Sequence, residues 1–70
     1  MASAEYEFVV RGRLGIVLAQ SLEGVEIRAS GPDATYLRGW LDQSALQSLL
    51  TRIGDLGIEI SSVRRLPDTG

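Results

Sequence analysis

Between Asp42 and Gly57 the apolar residues fall at Leu46, Leu49, Leu50, Ile53 and Leu56, the spacing of a single stripe along an α-helix. Asp42 stands just ahead of the stripe, where a carboxylate accepts from the free N–H groups of a first helical turn. Gly57 stands just past it, where a residue tolerant of positive φ closes a helix. Gly54 lies inside the pattern; it costs about 1 kcal/mol against Ala and reads as a tolerated position near the helix end. A stripe this wide needs cover, and the segments on both sides alternate as strands do.

Glu5 to Arg11 places Tyr6, Phe8 and Val10 on one side and Glu7, Val9 and Arg11 on the other, the pattern of a half-buried strand. Residues 1–4 ahead of it read as a disordered tail. Leu14 to Leu22 admits two readings. Leu14, Val17, Leu18 and Leu22 fit one face of a short helix ended by Gly24, while Ile16 and Val17 also suit a strand folding back at Gly12-Arg13. The helix is carried forward. Val25 to Ala29 alternates again, with Val25, Ile27 and Ala29 inward and Glu26 and Arg28 outward. Ser30-Gly31-Pro32-Asp33 is a turn, and Ala34 to Trp40 is the returning strand, with Thr35, Leu37 and Gly39 inward and Tyr36, Arg38 and Trp40 outward. Ile58 to Leu66 is the last strand, with Ile58 and Ile60 inward and Glu59, Ser61 and Val63 outward. Pro67 stops it, and residues 67–70 form a second disordered tail.

The order β-α-β-β-α-β over residues 5–66 predicts one α+β domain of ferredoxin-like type. Two helices would cover one face of a four-stranded antiparallel sheet with strand order 4-1-3-2. The other face would stay open. There Val9, Arg11, Tyr36, Arg38 and Trp40 gather on the central strands, and Tyr, Trp and Arg are the residue types enriched at the energetic centres of interfaces. These five are the candidate binding or interface residues. A solvated face with aromatics shielding the backbone is the plainer alternative.

Composition sharpens this picture. A chain of 70 residues buries only about 60% of its extended surface, and such domains usually lean on disulfides, a metal or a partner. There is no Cys and no His, which removes disulfides, thiolate ligands, and the commonest metal ligand and general base. A partner remains, and a homodimer is expected. The net charge of −2 and the dispersed arginines (all seven basic residues are Arg) argue against nucleic acid. The opening MASAEYEF lacks the basic and apolar regions of a signal peptide, and no apolar run approaches the ~20 residues of a membrane span. A cytoplasmic protein without membrane association is expected.

Catalytic constellations are absent from the pattern. The serines have no His, Cys or Lys to activate them, and the acids read as a cap (Asp42), a late-helix surface residue (Asp55) or strand-face charges (Glu5, Glu7). The connection Gly12-Arg13-Leu14-Gly15 occupies the place where ferredoxin-like acylphosphatases hold phosphate. Those enzymes use a longer glycine-rich signature and an Asn, and this chain contains no Asn. No catalytic residue, metal site or cofactor is assigned.

The segments YEFVVRGRL, EGVEI, a hairpin ending in LRG, and above all Asp42 to Leu46, Leu49 to Gly57 and Ser62 to Arg65 (DQSAL, LLTRIGDLG, SVRR) resemble a family of short hypothetical proteins of actinomycete-type bacterial genomes. The resemblance spans about residues 5 to 66. It implies the ferredoxin-like fold and supplies no catalytic residue. Members of that family often carry a His where this chain has Gln47.

Together these readings favour a small non-enzymatic association or regulatory module. It would be homodimeric through the open sheet face or an edge, with a small molecule at the interface or another protein as further partners. The alternatives are a cofactor-free enzyme of dimeric α/β-barrel type, which would need inward-facing Arg13, Arg64 or Glu59 lining a cavity, or an accessory subunit of a larger enzyme.

Overall fold

Strict alternation produces the two longest strands, which pair at the centre of the sheet, and the helices pack on one face of them. A computed structural model describes residues 2–67, with the side chains of 16 and 17 outside the described set. Its elements are β1 (Ala4–Arg11), α1 (Ile16–Gln20), β2 (Glu26–Ser30), β3 (Ala34–Leu41), α2 (Gln43–Asp55) and β4 (Ile60–Arg65). The sheet order is β2-β3-β1-β4, or β4-β1-β3-β2 read from the other edge, and every pair is antiparallel. The fold is α+β, a four-stranded antiparallel sheet with two helices.

The core lies against one face of the sheet. Phe8 and Val10 from β1 and Leu37 and Leu41 from β3 meet Leu49 and Ile53 from α2 and Leu14 and Leu22 from the ends of the α1 segment. Burying each such side chain contributes about 1.5–3 kcal/mol. Of the stripe read from the sequence, Leu49 and Ile53 are buried and Leu46 and Leu50 half-buried against the core, whereas Leu56, at the end of the helix, is exposed. Both predicted ends of α2 are present. Asp42 accepts a hydrogen bond from the Ala45 N–H at 2.8 Å, and Gly57 takes φ +73° one residue past the C-cap Leu56. Of the two readings of residues 14–22, the short helix is the one that forms, over five residues. Leu14 and Leu22 pin its ends, and Leu18 is half-buried beside the core; the predicted inward position of Val17 falls outside the described side chains.

Two inward positions on β3 do more than pack. Thr35 is fully buried, donates to the Gly12 carbonyl at 2.8 Å and accepts from the Leu14 N–H at 3.3 Å. Its hydroxyl so holds the β1–α1 connection against the sheet. A Cβ at Gly39 would overlap the Gly24 carbonyl, so this position admits close backbone approach of the loop ahead of β2.

The two edge strands depart from the predicted alternation. In β2, Ile27 pairs with Leu37 but Ala29 pairs with Tyr36, so Arg28 is an extra residue without a partner in β3. Ala29, expected inward, stands on the outer face, and Ser30 takes the inner one, 3.4 Å from the Thr35 hydroxyl. In β4, Ile60 pairs with Val10 but Ser62 pairs with Val9, so Ser61 is extra. Ser62 and Arg64 thus point outward, and Val63, expected outward, pairs with Phe8 on the inner face. A one-residue bulge reverses every side chain beyond it. The strand edges also shift. Ala4 pairs with Leu41, so β1 takes one residue from the expected tail 1–4. Met1 and residues 68–70 of the expected tails lie outside the described residues.

Candidate functional site

The outer face of the sheet is built in rows, because antiparallel neighbours set residues directly opposite one another. One row runs Ala29, Tyr36, Val9, Ser62 from edge to edge. The next runs Glu26, Arg38, Glu7, Arg64, alternating in sign across all four strands. Beyond it Trp40 stands opposite Glu5, and at the other end Arg11 stands opposite Ala34. Among the described residues, no element covers these rows.

Glu7 is the centre of the charged row. Its Oε2 accepts from Arg38 Nε at 3.2 Å and its Oε1 from Arg64 Nε at 3.3 Å. The Glu7 side chain is only 15% exposed, its carboxylate held between two guanidinium groups from the strands on either side. At the margins Arg28 pairs with Glu26 at 3.1 Å and Arg11 with Glu59 at 3.2 Å, both well exposed. Glu5, Glu7, Glu26 and Glu59 are thus matched in number by Arg11, Arg28, Arg38 and Arg64, and the face carries no net sign to draw a polyanion.

All five residues singled out from the sequence lie on this face, but they do not form one patch. Val9 and Tyr36 face each other across β1 and β3. Trp40 lies four residues along β3 from Tyr36, about 13 Å at strand rise, with the Arg38–Glu7 pair between them. Arg11 is at the far end, engaged with Glu59. Ion pairs hold the middle of the face and aromatics flank them. Sequence reasoning placed Glu7 on this face without seeing its central place, which depends on the non-local β1–β3 register. It missed Ser62 and Arg64, which only the Ser61 bulge turns outward.

Polar groups that would serve a cavity between sheet and helices stand elsewhere. Arg13 is exposed, Arg64 is bound to Glu7 on the outer face, and Glu59 is bound to Arg11. A hollow of about 210 Å³ between the end of α1 and α2 is lined by Ser21, Glu23, Ala45, Ser48, Leu49 and Arg52, and no activated nucleophile or acid–base pair converges there. Among the described residues no helix is long and apolar enough to cross a membrane.

The fold and site define a small α+β domain with one open, ion-paired sheet face. The chain belongs to the family described as Domain of unknown function (DUF8691), whose model matches residues 5–64. That span runs from the first charged residue of β1 to Arg64, so it includes every row of the open face. No curated protein and no solved structure matches the chain.

Proposed function

We propose that this protein is a non-enzymatic association module of ferredoxin-like type that pairs with a second copy through its open sheet face, in the cytoplasm of a bacterial cell. The strand order β4-β1-β3-β2 supports the ferredoxin-like assignment. The observation that carries the pairing is the exposure of Trp40 (61%) and Tyr36 (41%) on a central strand of a face that no element of the described chain covers. Large aromatics on such a face are the residues that an interface buries to greatest effect. The edges are poorer candidates for pairing. β2 and β4 are short, each carries a bulge, and a bulged edge resists the addition of a further strand. A small core gives the module a reason to pair.

The test is absolute mass in solution by light scattering after size exclusion, over a range of concentrations. The native chain should approach twice its 7.6 kDa. The double variant Trp40→Glu with Tyr36→Glu should remain folded by circular dichroism and run at the mass of one chain. If the double variant keeps the native mass, this face is not the interface.

A further inference from the structure

We infer that the second copy docks through a two-fold axis parallel to the strands, midway between β1 and β3, so that Arg38 meets Glu7 of the partner subunit. The inference rests on the proposed pairing through the open face and adds its geometry. Two sheets packed face to face and related by a two-fold have that axis in the plane between them. Aligned sheets keep their strands within about 30° of each other, so the axis runs close to the strands or close to the direction across them.

The charged row Glu26, Arg38, Glu7, Arg64 distinguishes the two. With the axis across the strands, each strand faces its own copy. When that axis runs along the charged row, Arg38 meets the partner's Arg38 and Glu7 meets the partner's Glu7; displaced to either side, it sets the charged row against a row that does not alternate in sign. With the axis along the strands, β3 faces β1 of the partner and β2 faces its β4. A pure rotation has no translation along its axis, so each row meets itself reversed. Arg38 then meets the partner's Glu7, and Glu26 meets the partner's Arg64. The neighbouring row brings Tyr36 over the partner's Val9. A row that alternates in sign over an even number of strands is complementary to its own reversal, and the axis midway between β1 and β3 is the one that keeps all four strands of the row matched. An orthogonal packing would take it out of register altogether. Sheet twist of roughly 20–25° per strand separates the outer pairs, so the Arg38–Glu7 contacts nearest the axis dominate.

The in-chain geometry leaves donors for such a contact. Arg38 reaches its own Glu7 through Nε, and a guanidinium carries further N–H groups on the same plane. Glu7 is largely shielded from solvent within the chain, so a facing guanidinium acts on a carboxylate already partly desolvated.

Charge exchange tests this. Native chain, Arg38→Glu, Glu7→Arg and the combined Glu7→Arg/Arg38→Glu are compared by light scattering, with folding followed by circular dichroism. Arg38→Glu should weaken self-association at least ~100-fold, the scale of facing like charges. Equal amounts of Arg38→Glu and Glu7→Arg should form a mixed dimer, detected by native mass spectrometry. Each of those chains has lost its internal pair, so only the contact between subunits can rescue them. Should Glu7→Arg fail to fold alone, the combined variant, which restores the pair between positions 7 and 38 within the chain and across the axis while giving up the Glu7–Arg64 pair, should regain the native dimer. A native dimer with Arg38→Glu still dimeric, or with neither the mixture nor the combined variant dimeric, overturns the axis while leaving the association module standing. A native chain of single mass overturns both.

Discussion

β1 and β3 pair from Ala4↔Leu41 to Arg11↔Ala34 without a slip, whereas β2 and β4, each paired on one side only, each slip by one residue. The contrast follows from neighbour number. An extra residue in a central strand would disturb two ladders and turn core residues on one side of it out of the core. An extra residue in an edge strand disturbs one ladder, beside water. Burial follows the same division. β1 and β3 contribute Phe8, Val10, Leu37 and Leu41 to the core, while every residue of β2 is exposed. Alternation is thus enforced where both neighbours and a buried face demand it and is relaxed elsewhere.

The sharpest way to break this comparison is to delete one residue from a central strand. Removing Tyr36 makes Thr35 and Leu37 neighbours, and neighbours in a strand point to opposite faces. Both are fully or nearly fully buried on the same face. Either Thr35 leaves the core or Leu37 and Leu41 do, and losing two leucines from a core costs about 2–5 kcal/mol each. A domain of this size has roughly 4–10 kcal/mol in all. The deletion should abolish the cooperative thermal transition followed by circular dichroism. A cooperative melt within a few degrees of the native one would show that parity on β3 is not what holds the fold.

How far the chain could be read from sequence follows the same line. The stripe and caps of α2 were legible because they are local: Asp42, Leu49, Ile53 and Gly57 act within one helix. The inward and outward sets of β1 and β3 were legible because each strand has one buried face. The reversals at Arg28 and Ser61 were not, since a bulge at an edge needs no special residue and neither position carries a glycine signal. For the candidate site the gap is one of register. Val9, Arg11, Tyr36, Arg38 and Trp40 share a face by parity alone. That Glu7 sits between Arg38 and Arg64 requires knowing which residue opposes which across strands far apart in sequence, and no tight turn sets that.

Thr35 sharpens the central side of the comparison with a smaller effect. An inward β-branched residue in a strand looks like core filling, and its hydroxyl is what the pattern hides. Thr35→Val keeps the shape but leaves the Gly12 carbonyl and the Leu14 N–H without their partner. Leaving such groups unpaired costs about 2 kcal/mol, or roughly 8–16 °C in melting temperature for a domain of this size. Thr35→Ser, which retains the hydroxyl, should lose less. Equal losses for Val and Ser would mean that the methyl packing, not the hydrogen bonds, holds the β1–α1 connection.

The smallest effect is expected from the matching deletion at the edge. Removing Ser61 joins Ile60 to Ser62, which already oppose Val10 and Val9. The ladder becomes regular, Val63 stays opposite Phe8, and Arg64 stays opposite Glu7. No side chain changes face, because the deleted residue is the one that had no partner in β1. The change should fall within about 1 kcal/mol, the range of surface substitutions, in a thermal melt beside the native chain. One residue removed from β3 should unfold the domain, and one removed from β4 should leave it standing. If the Ser61 deletion is as damaging as the Tyr36 deletion, the bulge does more than tolerate an extra residue: its added twist is what brings Arg64 onto Glu7, and the edge is as constrained as the centre.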